Sequence, residues 1–431
     1  MGIINYILFI LLTVLGFYYL FVQRPYQLRN AGSKNQYFIA DNHQYLLLFI
    51  FATAIISCGA NLMANRLMIT IIWVALGIFL SKQSLRFSIV TFFYLLYLVW
   101  LIIAIFYSPV KSYGFRVLLK YLYPFLIMLF ASKITTSLPF YMKALQVILY
   151  MALYAACLFI LRIPWLGSFI WSFTFYGPAI IDFFPVVIAL SLVYYSYSNE
   201  KKYLFFVLLF IIPSVMGAIR TGILASSITI VVFAIVRYNL KSLPYVAVGV
   251  CLLIGTVLYV PAVRDKMFVK QMSTDEIIDR GEDISKEDID SSGRFAMWDW
   301  SLKNFYKGKE WKGSGLGVLQ NAFYNEKHPF GKLKVVHNDY IQILCDTGLI
   351  GLILYALTFL SLVIHSFVIY FNNRSVPIVK FAALISGVSL AGMISTLYTD
   401  NVVNYSLMTL SFPFALYGMM LSLRKKDSSY D

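Results

Sequence analysis

Thirteen stretches of the chain are apolar on every helical face. They cover residues 3–22, 44–62, 67–81, 87–107, 114–131, 141–162, 178–198, 202–217, 222–237, 243–260, 348–370, 378–397 and 403–423. Most approach the roughly 20 residues that a helix needs to cross the hydrocarbon of a bilayer. Their hydropathy therefore predicts about thirteen spans. Phe169–Tyr176 reads as a segment that dips into the membrane without crossing it. Polar positions between the runs come in short groups, with one exception at residues 261–336. This segment carries the acidic run "DEIIDRGEDISKEDID" in its first half and continues through a helical pattern, "GRFAMWDWSLKNF". It then reaches the glycines of "GSGLG" and ends at "HNDYIQILCDTGLIGL", where the next apolar run begins.

Composition agrees with the pattern. The chain of 431 residues is 60% hydrophobic and 13% charged, where soluble domains carry about 25% charged residues. A set of soluble domains is excluded. The net charge of +15 does not form a basic stripe on a soluble domain, so no nucleic-acid partner is expected. Instead the basic residues alternate. If Arg424, Lys425 and Lys426 lie inside, alternation puts Arg24, Arg29, Lys34, Lys82, Arg86, Lys133, Lys143, Lys201, Lys202, Arg237, Lys241, Arg374 and Lys380 inside as well. Only Arg66, Lys111, Arg162 and Arg220 fall in short outer loops, as the positive-inside bias requires.

The expected fold is an all-α polytopic membrane protein with about 12–13 transmembrane helices and one large, partly helical extracytoplasmic loop. Residues 1–260 form an N-terminal bundle of about ten helices, and 261–336 form the loop. Residues 337–431 add C-terminal helices and a short basic tail, packed with the first bundle as one domain. The first run lacks a basic leader and a cleavage site, and reads as a retained span. The four cysteines have neither metal spacing nor a disulfide framework.

Several groups on the outer side carry candidate chemistry. Arg220 lies in "MGAIRTGIL", a short link between two spans. Such an arginine either snorkels to the headgroups or, between Gly217 and Gly222, turns inward. Arg294 opens the loop helix, where Ser291 or Ser292 can cap and Trp298, Leu302 and Phe305 recur at helical spacing. A cation is disfavoured in a first helical turn. This suggests an anion partner, either a ligand or one of the loop's own carboxylates. Arg116 and Lys120 are four apart and share one face of the fifth span.

His337 immediately precedes a short helix over Asp339 to Asp346, broken at Thr347-Gly348, with Asn338 or Asp339 as cap. A neutral imidazole there is a base at the membrane boundary. The alternative is a histidine merely hydrogen-bonded at the surface. The Gly313, Gly315 and Gly317 pattern lacks the strand and the Lys-Ser/Thr ending of a phosphate loop, and reads as a tight turn. The acidic run lacks the calcium-loop pattern and reads as a solvated segment. No zinc spacing or serine-nucleophile motif occurs.

Taken in order, "IRTG", "SGRFAMWDWSLKNF", "GSGLG" and "HNDYIQILCDTGLIGL" resemble the O-antigen polymerase and O-antigen ligase superfamily of bacterial glycan assembly. The late outer loop fits this resemblance. The first half of the chain is similar only in hydropathy. The resemblance implies transfer of a glycan from a polyprenyl (undecaprenyl) diphosphate carrier to an acceptor hydroxyl at the outer face of the bacterial cytoplasmic membrane. It makes Arg220 and Arg294 the holders of the donor diphosphate and His337 the catalytic base. Arg116, Lys120, Asn338 and Tyr340 are further candidates. This chain has Asp339-Tyr340 after His-Asn and Thr221 after Arg220.

No metal and no cofactor is expected, and direct attack would invert the anomeric carbon. The expected partners are undecaprenyl diphosphate-linked glycans, membrane lipids, and a chain-length regulator and flippase of the same pathway. The polymerase, which extends one carrier-linked chain with another repeat, is the first expectation. A ligase acting on a lipid A-core acceptor is the alternative. A lipid-linked glycan flippase would show two matching halves with interrupted helices, which this sequence lacks. A structural scaffold leaves the clustered Arg and His unexplained.

Overall fold

A computed structural model describes residues 2–31, 36–85, 87–161, 174, 178–217, 219–259, 261, 264–265, 273–280, 293–325, 328–331, 334–372 and 374–427. The predicted caps Ser291 and Ser292, most of the acidic run, Lys34, Arg86 and Arg162 lie outside these residues. So does Phe169–Tyr176, apart from Thr174, which bridges to Ile56.

Each predicted apolar run contains a helix. In chain order they are α1 Gly2–Phe17, α2 Asn42–Thr53, α3 Met63–Leu80, α4 Ile89–Phe106, α5 Lys111–Ile134, α6 Leu138–Leu161, α7 Pro178–Ser198, α8 Lys202–Met216, α9 Arg220–Tyr238 and α10 Leu243–Tyr259. The long connection adds α11 Thr274–Arg280, α12 Arg294–Ser301 and α13 Val318–Asn325. After it come α14 Asp339–Phe371, α15 Pro377–Thr399 and α16 Ser411–Asp427. Among the described residues nine helices are long and apolar enough to cross a membrane. The protein is an all-α polytopic membrane protein.

Four of the thirteen runs form shorter helices. In the 44–62 run, α2 has 12 residues, about 18 Å of helix, too short to cross alone. Beyond its C-cap at Ala54 the chain stays non-helical, and Cys58 and Gly59 both take positive φ, 59° and 81°. The irregular 54–62 stretch is largely buried in protein, the condition under which non-helical backbone is tolerated at membrane depth. Arg66, expected in an outer loop, is instead inside α3 and fully buried. It donates to the hydroxyls of Thr70 and Thr53, both at 2.9 Å, and lies over the Trp73 ring. Residues 26–29 and 37–40 form an antiparallel hairpin, Tyr26 opposite Ala40, which the all-α reading did not anticipate.

Helix α7 is central, with 83% of its apolar window buried. Helix α1 is peripheral, with 17%. Helices α7, α9 and α15 meet where Gly392 faces Thr229 and Pro185. Arg237, near the end of α9, donates from Nη2 to Ser196 O at 3.2 Å at one end of this group. Arg220, at the start of α9, is therefore at the other end, level with the finish of α15 at Thr399.

The loop is tied to that same end. Helix α12 and its following turn build a small aromatic core with Met297, Leu319, Phe323 and Val336. The glycines then form the tight turn that the sequence suggested, with positive φ at Gly313, Gly315 and Gly317. This turn clamps the break in α14, where Gly348 has φ 68° and ψ −167°. A Cβ on Gly348 would lie 2.3 Å from Trp311 O. The Asp346 carboxylate accepts from Gly317 N and Leu319 N, both at 2.9 Å. Tyr107 at the end of α4 donates to Lys312 O. Burial, with the Asp346 carboxyl nearby, pushes this phenol up to about 12, so it remains a donor.

Candidate active site

His337 is held between the end of the loop and the end of α15. Its Nδ1 is 2.8 Å from Asp400 Oδ1, and its backbone N–H donates to Asn401 Oδ1 at 2.6 Å. His337 has φ 51°, in the left-handed region that costs an L-residue about 1–2 kcal/mol. The bond to Asn401 offsets that strain. With a carboxylate at Nδ1, the proton of a neutral ring sits on Nδ1 and the lone pair on Nε2. Among the described residues no hydrogen bond engages Nε2. The His337 side chain is 23% exposed and that of Asp400 only 4%, so the histidine is the member of the pair that can meet a substrate.

Asn401 is the hub beneath this pair. Its backbone N–H donates to Asp400 Oδ1 at 2.7 Å. Its Nδ2 donates to Asp339 Oδ1 and Gln342 Oε1, both at 2.9 Å. The second Asp339 oxygen accepts from Val403 N at 3.2 Å. A fully buried carboxylate at the start of α14 is thus answered by donors. Asn338 caps α14, its Oδ1 accepting from Ile341 N at 3.0 Å.

Arg294 Nη1 donates to Thr399 O at 2.6 Å. This places the guanidinium one residue before Asp400 in the chain, with further N–H groups left for an anion. The cap position before Arg294 is Gly293, in the left-handed conformation and without a side-chain cap bond. Arg220 is at this end of the bundle, on the helix whose Gly222 touches Ile181 of α7. The neighbour of Ile181 is Asp182, a fully buried acid with no hydrogen bond to either oxygen among the described residues. Burial first, then the carboxyls of Asp400 and Asp182, push the nearby Tyr405 phenol up.

Arg116 and Lys120 line a cavity of about 610 Å³ beside the 400–405 turn. Lys120 Nζ donates to Asn404 Oδ1, and Arg116 lies over the Tyr113 ring. Tyr340 donates to Ile394 O at 3.1 Å and packs on Tyr355.

His337, Asn338 and Arg294 therefore meet at one cluster, Arg116 and Lys120 flank it, and Tyr340 is bonded to Ile394 O and packed on Tyr355. The sequence reading missed Asp400, Asn401, Gln342 and Asp182. An available signal was the Asp-Asn pair that opens the last apolar run, a polar group at the same end as His-Asn-Asp.

Residues 204–356 match the family model described as O-Antigen ligase. Over those residues the chain is similar to the O-antigen polymerase and ligase superfamily. The match begins in α8, takes in Arg220 and Arg294, and ends beyond His337 in α14. Asp400, outside it, is joined to the matched segment by the bond to His337. No curated protein matches the chain.

Proposed function

We propose that the protein is a polysaccharide polymerase of this superfamily. It transfers a polyprenyl diphosphate-linked glycan to a hydroxyl of another lipid-linked repeat unit, at the outer face of the bacterial cytoplasmic membrane. The observation that carries the reading is the His337–Asp400 pair, with Arg294 bonded one residue away. His337 Nε2 takes the proton of the acceptor hydroxyl as its oxygen attacks the anomeric carbon. Asp400, a positioning residue, holds the ring and stabilises the imidazolium that forms. The bond to the diphosphate breaks, and its electrons leave on the diphosphate oxygen. Arg294 and Arg220 stabilise that growing charge through planar, bidentate contacts. No metal is needed in this scheme, and attack from the opposite face inverts the anomeric carbon.

The test is the purified protein with a synthetic polyprenyl-diphosphate repeat unit as sole substrate. A ladder of products supports polymerisation. The family description names a ligase, so a parallel reaction supplies a lipid A-core acceptor. Transfer of one glycan to that acceptor, with no ladder, would replace the polymerase reading by the ligase.

A further inference from the structure

We propose that the cavity walled by Arg116 and Lys120 binds the second substrate, taking the phosphate and first sugar of a lipid-linked glycan that serves as acceptor. This rests on the transfer reading above and adds a second lipid site to it. A one-step transfer between two lipid-linked molecules needs two anchored headgroups near one base. Arg220 and Arg294 account for one.

Three observations converge on this cavity. The first is charge. Lys120 is half-buried and its hydrogen-bond partner is a neutral amide, Asn404 Oδ1. Arg116 faces the Tyr113 ring. The acid that acts on Lys120 is Asp339, whose two oxygens are already taken by Asn401 Nδ2 and Val403 N. Two cations at membrane depth with neutral neighbours attract an anion, and an arginine fork suits a phosphate.

The second is polarity of a kind that phosphate does not use. Asn61, Asn65 and Gln320 bring amides to the wall. Gln320 Oε1 is buried and has no partner among the described residues. A carbonyl oxygen needs a donor. A sugar hydroxyl supplies one, and an ionised phosphate does not. The lining also includes the apolar Met63, Leu67, Met68, Phe115 and Leu407. These are the side chains that an isoprenoid chain would follow.

The third is position. Asn404 lines the cavity, and Asp400, four residues before it, holds the His337 ring. A narrow gap lined by Gln320, Val336, Gln342 and Asn404 lies between the cavity and the backbone next to His337. Gln320 and Asn404 are thus shared by the cavity and the gap beside Val336, the residue before His337.

The experiment is native mass spectrometry of the purified full chain, titrated with a synthetic polyprenyl-diphosphate disaccharide. Two molecules should bind the wild type. Arg116→Gln with Lys120→Met should weaken one of the two at least tenfold, and Arg294→Ala should weaken the other. Ala64→Phe, which fills the cavity from an exposed position, should reproduce the first loss without touching either charge. An unchanged second binding event in both cavity variants would overturn the proposal. So would displacement of that molecule by equimolar phosphatidylglycerol, which marks an ordinary phospholipid rim, or by inorganic diphosphate alone, which marks a free-anion site. Because the readout is binding, it separates from turnover. Loss of the second lipid in a protein that transfers nothing supports the site and rejects the transfer reading. Normal turnover with an unchanged acceptor KM in the Arg116→Gln variant rejects the site and keeps the transfer reading.

Discussion

Two of the contacts that tie the long connection to the bundle use carboxylates in opposite ways. Asp346 receives two backbone N–H groups of the glycine turn, from Gly317 and Leu319. Asp400 receives the Nδ1 of His337 and the N–H of Asn401. Both acids are buried, at 1% and 3% exposure. The partners of Asp346 are fixed amides that cannot titrate. One partner of Asp400 is the His337 ring, which still reaches solvent. Burial of an acid is therefore a poor marker of function here. What distinguishes the two is whether the partner has a second reactive atom facing outward. The first contact fixes the loop, and the second orients the His337 ring that the fixed loop delivers.

The largest effect should follow removal of that base. His337→Ala is expected to lower turnover about 10²–10⁴-fold. Folding should survive, because the backbone N–H still reaches Asn401. Steady-state turnover alongside a thermal-melting measurement checks both halves, and near-normal turnover in a folded variant removes His337 from the mechanism.

Next come the arginines. Arg294→Lys and Arg220→Lys keep the charge but lose the planar fork. Each loses a charge-assisted contact of about 1.5–3 kcal/mol, roughly ten- to a hundredfold. Turnover with one defined donor measures this, and wild-type rates in both variants would make them ordinary packing or snorkelling residues. Arg294 also donates to Thr399 O, a bond that lysine can keep, so the comparison isolates the lost fork.

The structural contact is expected to respond differently. Asp346→Asn replaces one acceptor oxygen with an amide that faces an N–H donor. It should cost about 1–3 kcal/mol, seen as a lower melting temperature. Protein that remains folded should keep donor affinity. A variant with unaltered stability and abolished turnover would erase the distinction between the two carboxylates. The smallest effect is expected from chelation. Turnover should persist in excess chelator, and loss rescued by magnesium or manganese would sink the arginine-only scheme.

Much of this architecture was legible in the sequence because it is local. All thirteen apolar runs contain helices. The break at Gly348, the cap at Asn338 and the glycine turn follow from residues within a few positions of each other. The half-length α2 was not legible. Hydropathy cannot separate a span from a short helix followed by buried irregular chain. The 26–40 hairpin was hidden because it carries no apolar run of its own. The partner of His337 was hidden for another reason. Asp400 is 63 residues away, and two helices, α14 and α15, must pack before the acid and the ring meet. The gap at the candidate site is thus a long-range pairing.

The claim that matters most is that His337 and Asp400 act as one unit. The most direct measurement is a double-mutant cycle of turnover with a single synthetic lipid-linked donor, using His337→Ala, Asp400→Asn and the double variant. Asparagine keeps an oxygen for Asn401 while removing the charge that holds the Nδ1 proton. Asp400→Asn alone should lower turnover by ~10²–10⁴-fold, as loss of an orienting carboxylate does elsewhere. The double variant should then be no slower than His337→Ala, because the acid has no role once the ring is gone. Effects that multiply in the double variant would contradict the account, since Asp400 would then be acting through something other than His337.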